Sequence, residues 1–426
     1  MTAIVGIMNR QGISFAADSA ATLTLSTTHK ISNHANKIFE LSRCNPIGIA
    51  LYGNMDFMRL PWEEIIKIYR KKLSGSYFDF LKNYADNFFE FLRTDIITVM
   101  PQISEENRIC AFVDAFYDEI YQLAKKEVQS QGLPLIDENI TKEICRQTSS
   151  LCAAFKNHEV ADDFKDYELD AFKLASKKYV EEKLLHELSK VNDNGNLQND
   201  FSETLFYIIR SKSHTYCNHS GLIIFGYGEK DLFPSYFHYK ISYLFKNKIK
   251  LELVDKYEVS PDNDACIAPF AQTDVTNTVV RGIDDSLRSV FYEKNHDILQ
   301  TFKNLIIDKL KGINAVPKII EGIEGIDINI ISESFKKEMD AYIWNSYIKK
   351  LVQTVAFLSK EDLGDMAESL VKMTGLKRKV TTDEESVGGP VDVAVVTKGD
   401  GFVWLKRKHY FAPDINNNYF QRSKLV

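Results

Sequence analysis

The spacing of apolar residues divides the chain into alternating blocks of strand and helix. From Thr2 to Asn9 they recur at every second position, "NRQG" supplies a turn, and "ISFAADSA" continues the same period, which predicts a hairpin at the start of the sequence. "KIFEL" and "PIGIALYG" predict two more strands around the polar turn "SRCN", the second stopping at Gly53. Beyond Gly53 the period lengthens to about 3.6. Leu60, Ile65, Ile66, Ile68 and Tyr69 mark one helix, and "YFDFLKNYADNFFEFL" marks a second. The pattern stays helical from roughly Thr94 to Ser211, in segments such as "ICAFVDAFYDEIYQLAKKEV" and "ELDAFKLASKKYVEEKLLHEL", and "NDNGNLQND" is expected to close it.

Strand patterns then return in "GLIIFGYG", "SYFHYKISYLF" and "IKLELVDKYEVS", rich in branched and aromatic residues and bounded by Gly, Pro or Asn. "TDVTNTVVRGIDDSLRSVFY" opens another helical region with Thr273 in the N-cap position, and "SESFKKEMDAYIWNSYIKKLVQTVAFL" carries it to Ser359. Ser359 is placed to cap "KEDLGDMAESLVKMTG", where Leu363, Met366, Ala367, Leu370 and Val371 share one face. Two strands around a "KGDG" turn end the pattern. With the longest helical blocks set aside, the order is strands, two helices, strands, two helices, strands. That order describes a sheet sandwich flanked by helices, an α+β protein with helical insertions.

Composition narrows the function classes. A chain of 426 residues can bury a large core, and its formal net charge of −6, with Lys and Arg dispersed, lacks the basic stripe of a nucleic-acid binder. No apolar run reaches the roughly 20 residues that span a bilayer, and no signal-peptide pattern opens the chain, so neither nucleic acid nor membrane is an expected partner and the cytoplasm is the expected location. Cys44, Cys110, Cys145, Cys152, Cys217 and Cys266 are scattered without paired spacing, as expected of reduced thiols. "HTYCNH" gathers His214, Cys217 and His219, but a structural zinc site needs about four ligands and no second cluster supplies them. Gly226 and Gly228 in "FGYG" complete no G-x-G-x-x-G and read as a strand turn. No metal or cofactor is implied.

The chemistry is concentrated at strand ends. A cytosolic Met-Thr start is suited to methionine removal, which leaves Thr2 with a free α-amine beside its hydroxyl. Such an amine has a reference pKa of about 7.7–8.0, so it can serve as the base for its own hydroxyl once a nearby cation lowers that value. The site then needs a cation, an anion to position it, and a backbone N–H for the developing oxyanion. Asp18 closes the second strand, Lys37 begins the third, and Gly53 ends the fourth.

These residues resemble the proteasome β-subunits and the bacterial HslV peptidase, which are N-terminal-nucleophile (Ntn) hydrolases. "MTAIVGIMNRQGISFAADSAATL" is similar to their mature start, "DSAAT" to their "DSRAT", "NKIFEL" to their lysine-bearing strand and "IALYGNMD" to their oxyanion-hole glycine. "SGLIIFGYG", "FAQTDVTNTVVRGI" and "GGPVDVAVVTKGDGFVWLKR" are similar to their middle strand, third helix and C-terminal strands. The resemblance implies a four-layer αββα sandwich of antiparallel sheets. It gives Thr2 the role of nucleophile, Lys37 that of the tuning cation, Asp18 its partner and Gly53 the oxyanion donor. Thr22 resembles the residue whose backbone pairs with extended substrate, and Met55, just past the glycine, stands where a specificity pocket is lined.

Two departures stand out. "DACIAPFAQ" lacks the serine of the family's Gly-Ser-Gly, and "DEESVGG", which supplies Asp383 and Ser386 for an Asp-x-x-Ser-Gly motif, has one extra residue before the glycines. The expected domains are a discontinuous core at 2–104, 213–290 and 355–426, with helical insertions at 105–212 and 291–354. The expected function is a threonine-type peptidase or amidohydrolase acting on protein or peptide. The family's assemblies add a homo-oligomeric ring and an ATPase unfoldase as partners. An inactive ring-forming scaffold and a threonine-dependent transpeptidase or ligase are the alternatives.

Overall fold

In the computed structural model, the described residues are 2–25, 28–58, 60–73, 75–99, 105–189, 196–312, 317–381, 387–412, 415–416, 418 and 421. Strands β1 (Ala3–Asn9), β2 (Gly12–Ala17), β3 (Ala21–Leu25), β4 (Thr28–Ser32), β5 (Ile38–Glu40), β6 (Ile47–Gly53), β7 (Asp56–Phe57) and β8 (Leu60–Pro61) lead into helices α1 (Trp62–Leu73), α2 (Leu81–Val99), α3 (Glu105–Ser130), α4 (Asp137–Phe155), α5 (Leu169–Leu188) and α6 (Asn196–Arg210). Next come β9 (Ser220–Gly226), β10 (Ser235–Phe245), β11 (Lys248–Glu258) and β12 (Ala265–Ala271). The chain continues through α7 (Asp274–Arg281), α8 (Asp285–Gly312), α9 (Pro317–Glu324), α10 (Ile328–Ile343), α11 (Lys349–Val355) and α12 (Lys360–Val380), and ends in β13 (Asp392–Thr397) and β14 (Gly401–Lys406). The fold class is α+β.

Two compact units emerge: Met1–Ala35, Val259–Val395 and Val403–Val426 form the first, and Asn36–Glu258 with Val396–Phe402 form the second. The first unit holds a five-stranded sheet in the order β12-β1-β2-β13-β14. The expected hairpin is its centre, with Asn9 opposite Gly12 across an antiparallel register. Both strands are buried along their whole length, so the sequence alternation separates two dry faces rather than a wet one from a dry one. Ala3, Val5, Ile7 and Ala16 pack with Leu363, Ala367, Leu370 and Val371 of α12, the face the sequence pattern had singled out. Ser359 caps that helix through a full capping box with Asp362. Thr273 does occupy the N-cap position of α7, but its side chain makes no capping bond. Gly282, at φ +70°, ends α7 in the left-handed conformation that suits glycine, and α8 starts three residues on.

The second unit holds an antiparallel sheet in the order β11-β10-β9-β6-β5. Ile47, Ile49, Leu51, Leu222 and Ile224 on its strands pack with Trp62, Ile65, Tyr69, Phe88 and Leu92 of α1 and α2. Leu60 precedes the first helix as part of β8 rather than belonging to it, because Pro61 sits at the junction. Helices α3 to α6 make a separate core around Phe112, Phe116, Phe164, Phe172, Phe201 and Phe206. "NDNGNLQND" does not close this block, since α6 begins inside it at Asn196. Asp163, in a 3-10 turn (Asp162–Phe164), accepts Arg93 Nε (2.8 Å), Arg93 Nη2 (3.2 Å) and Ile249 N–H (3.0 Å), and so ties the block to α2 and β11. Among the described residues no helix is long and apolar enough to cross a membrane.

Candidate active site

In the first unit, Thr2 is buried immediately ahead of β1, and its carbonyl accepts Gln272 N–H (3.0 Å) just past β12. Asp18 is the residue that leaves β2, and the antiparallel register returns it to the start of β1. Its N–H donates to Ala3 O (3.2 Å), while its Oδ1 accepts Ala3 N–H (2.9 Å). Its Oδ2 accepts Ala20 N–H (3.1 Å) and Gly388 N–H (3.1 Å). Three backbone donors thus satisfy one buried carboxylate, and they fix the strand start, the chain leaving β2 and the segment before β13 relative to one another. Ser19 reinforces the last contact: its N–H donates to Gly388 O (3.1 Å) and its Oγ to Pro390 O (2.5 Å). Asp383 and Ser386 lie outside the described residues, and the chain re-enters them at Val387, next to the glycine that Asp18 holds. Thr22 lies on β3, opposite Ile31 of β4.

In the second unit, Lys37 directly precedes β5, and its carbonyl accepts Leu51 N–H (2.8 Å) from β6. Its side chain is only 1% exposed, a depth at which an ammonium requires acceptors or an anion around it. Gly53 ends β6 with φ +76°, and a Cβ there would fall 2.6 Å from His219 O, so two constraints select glycine. The turn that follows is pinned: Asn54 N–H donates to His219 O (3.0 Å), Ser220 Oγ to Asn54 O (2.6 Å), and Trp62 Nε1 to Ser220 Oγ (2.8 Å). Met55 packs against the α1–α2 core, and its carbonyl accepts Trp62 N–H (3.0 Å). The structure therefore brings Thr2 and Asp18 together in one unit, and in the other sets Lys37 just ahead of β5 and Gly53 at the end of its partner strand β6.

Buried and half-buried polar groups lie around β6 and β9, of which the sequence pattern had not singled out Tyr52 and His238. Tyr52 Oη lies 2.7 Å from His238 Nε2; burial raises the phenol to about 12 and lowers the imidazole to about 4. His214, whose Nδ1 meets Ser242 Oγ (2.5 Å), is lowered to about 3 by burial. Cys217, buried nearby, has its thiol pushed up by burial. Among the described residues no group of three or more His, Cys, Asp or Glu is placed to hold a metal ion. Gly388, Ser220 and Trp62 carry no local signal, because each acts on a residue distant in sequence.

No family model matches this chain, and no curated protein matches it. Among solved structures, an Anbu mutant from Hyphomicrobium sp. strain MC1 aligns with 100% of this chain and 96% of its own, at 9% identity and TM-score 0.29. Anbu from Yersinia bercovieri, described as an ancestral beta-subunit, aligns with 99% and 95%, at 9% identity and TM-score 0.26. A further Anbu chain from Hyphomicrobium sp. strain MC1 gives 99% and 95%, 8% identity and TM-score 0.24. The resemblance drawn from the sequence motifs, to proteasome β-subunits and HslV, is corrected on this point: these three solved structures are Anbu proteins. At such identities and scores they carry no argument about activity, which has to rest on the chain's own residues.

Proposed function

We propose that this chain is an N-terminal threonine hydrolase of peptide or related amide bonds. Removal of Met1 exposes the Thr2 α-amine. Thr2 Oγ then attacks the amide carbonyl carbon while the α-amine accepts the hydroxyl proton through a water. The carbonyl oxygen takes the electron pair and is held by Gly53 N–H; its collapse breaks the C–N bond, and the amine leaves with the proton. Water attacks the resulting ester and restores Thr2. Lys37 stays protonated and disfavours a charged α-amine, while Asp18 positions Lys37 and the start of β1. Asp383 and Ser386 complete the proton network, Thr22 pairs its backbone with extended substrate, and Met55 lines the adjoining pocket. In this reading 2–104, 213–290 and 355–426 are the catalytic core, with 105–212 and 291–354 inserted into it.

The observation that supports the reading best is the Asp18 carboxylate with its three backbone donors, one of them from the residue that follows Thr2. A strand start held this firmly suits a nucleophile that must not move relative to its base. The test is the mass of the N-terminal peptide before and after a threonine-directed β-lactone, with Thr2→Ala beside it. A chain that begins at Thr2 and gains the probe is expected, with Thr2→Ala unlabelled and amide turnover at least about a thousandfold lower. A chain that keeps Met1, or equal labelling of Thr2→Ala, overturns the reading.

A further inference from the structure

Helix α8 carries apolar residues on two faces, and only one of them is covered. The covered face is formed by Leu299, Ile306, Ile307 and Leu310, all half-buried or buried. Bonds to α10 hold that side: Tyr292 Oη (2.7 Å) and Arg288 Nη1 (3.2 Å) donate to Asp340 Oδ1, and His296 Nδ1 meets Ser332 Oγ (3.2 Å). The other face is formed by Leu287, Phe291, Ile298, Phe302 and Leu305, which are 52–66% exposed. At about 100° per residue these five fall within an arc of roughly 60°, a single straight seam. A surface helix needs one apolar stripe; a helix with two needs a second partner.

We infer that this outer seam pairs with the same seam on a second copy of the chain. Because the five side chains lie in one narrow arc along the helix, the seam can meet its own copy across a two-fold axis. The charges nearest it are of both signs, Lys294, Asp297, Asp308 and Lys309, which suits a protein partner better than the uniformly basic rim of a membrane-surface helix. Area agrees with a dimer. With more than half of each side chain open, and Val290 beside them 49% exposed, the seam leaves on the order of 600 Å² of apolar surface per copy. Two copies then bury about 1,200 Å², which reaches the range of stable complexes. The inference does not depend on Thr2 chemistry.

Sedimentation velocity of the full chain across a dilution series tests it, with the double variant Ile298→Glu/Phe302→Glu and the control Leu174→Glu, an exposed leucine on α5. The expected result is self-association of the natural chain and of the control, weakened at least about a hundredfold in the double variant, whose circular dichroism stays unchanged. If the double change unfolds the protein, Leu305→Lys replaces it, with about tenfold weakening expected. A natural chain that stays monomeric throughout, or folded variants that keep its full mass, overturns the inference. Binding of the natural chain to anionic vesicles without self-association also overturns it, in favour of a membrane face.

Discussion

The two helical blocks draw on similar residues and reach opposite ends. In α3–α6, each helix packs against two others, α3 on α4 and α5, and α6 on α4 and α5, so the four close around a shared interior. Phe112, Phe116, Phe164, Phe172, Phe201 and Phe206 are all sealed there. In the second block, α8 packs mainly on α9 and α10, with a smaller contact to α7, and so open an arrangement has little interior to fill. Ile307, Ile328 and Ile343 are its buried apolar residues on those helices, while Phe291, Phe302, Tyr342 and Trp344 stand at least half open. The content of apolar residues therefore does not decide whether a block closes. The number of helices able to surround one another does.

The largest expected contrast comes from truncating one phenylalanine in each block. Phe201→Ala should cost about 3–5 kcal/mol in urea unfolding, because a closed core leaves a cavity that cannot collapse. The comparison fails if Phe302→Ala, measured at dilutions where the chain is monomeric, costs as much.

Acid gives the next effect. His214 and His238, beside the first block and on β10, have folded values of about 3 and about 4 against 6.5 in the unfolded chain. Between those values the unfolded state binds protons that the folded state refuses, so stability is complete above pH 6.5 and is lost as pH falls below it. From pH 7 to pH 5 the loss should be roughly 2–4 kcal/mol, seen as a falling urea midpoint. His214→Gln should flatten the slope, and a natural chain equally stable at both pH values contradicts the burial argument.

In the open block, local helix chemistry should outweigh packing. Asp327 caps α10 by accepting Asn329 N–H (2.9 Å), so Asp327→Ala is expected to cost about 1 kcal/mol. The smallest effect should be Phe302→Ala in the monomer, within about 0.5 kcal/mol. A reversed order, with the phenylalanine dominating the cap in hydrogen exchange of α8 and α10, would mean that the hairpin has an interior after all.

What could be read from the sequence was local. The β1–β2 hairpin follows from "NRQG" between two period-2 runs, and the start of α12 follows from Ser359 three residues ahead of Asp362. Strand β12 was hidden because Pro269 argues against a strand interior; the structure accommodates it by placing β12 at the sheet edge, where Pro269 lies opposite Val5. The β3–β4 hairpin was not separated from β2, since Asp18, Ser19 and Ala20 interrupt the ladder without any turn signal. At the candidate site the ends of the strands were legible, and the bonds that hold them were not. Gly388 reaches Asp18 across 370 positions and Trp62 reaches Ser220 across 158, separations at which no pattern of spacing operates.

The bond between Arg93 and Asp163 has a consequence for how this chain can be taken apart. The same carboxylate also caps the Ile249 N–H of β11, so one side chain from inside the first block completes both a helix of the flanking layer and a strand of the sheet. Replacing α3–α6 with a short linker would leave a guanidinium and a strand amide facing each other with no acceptor between them. The block is thus not an ornament that can be transplanted or trimmed at will; a shortened chain would need a substitute for Asp163, or a neutral residue at position 93, before its sheet could keep the same edge.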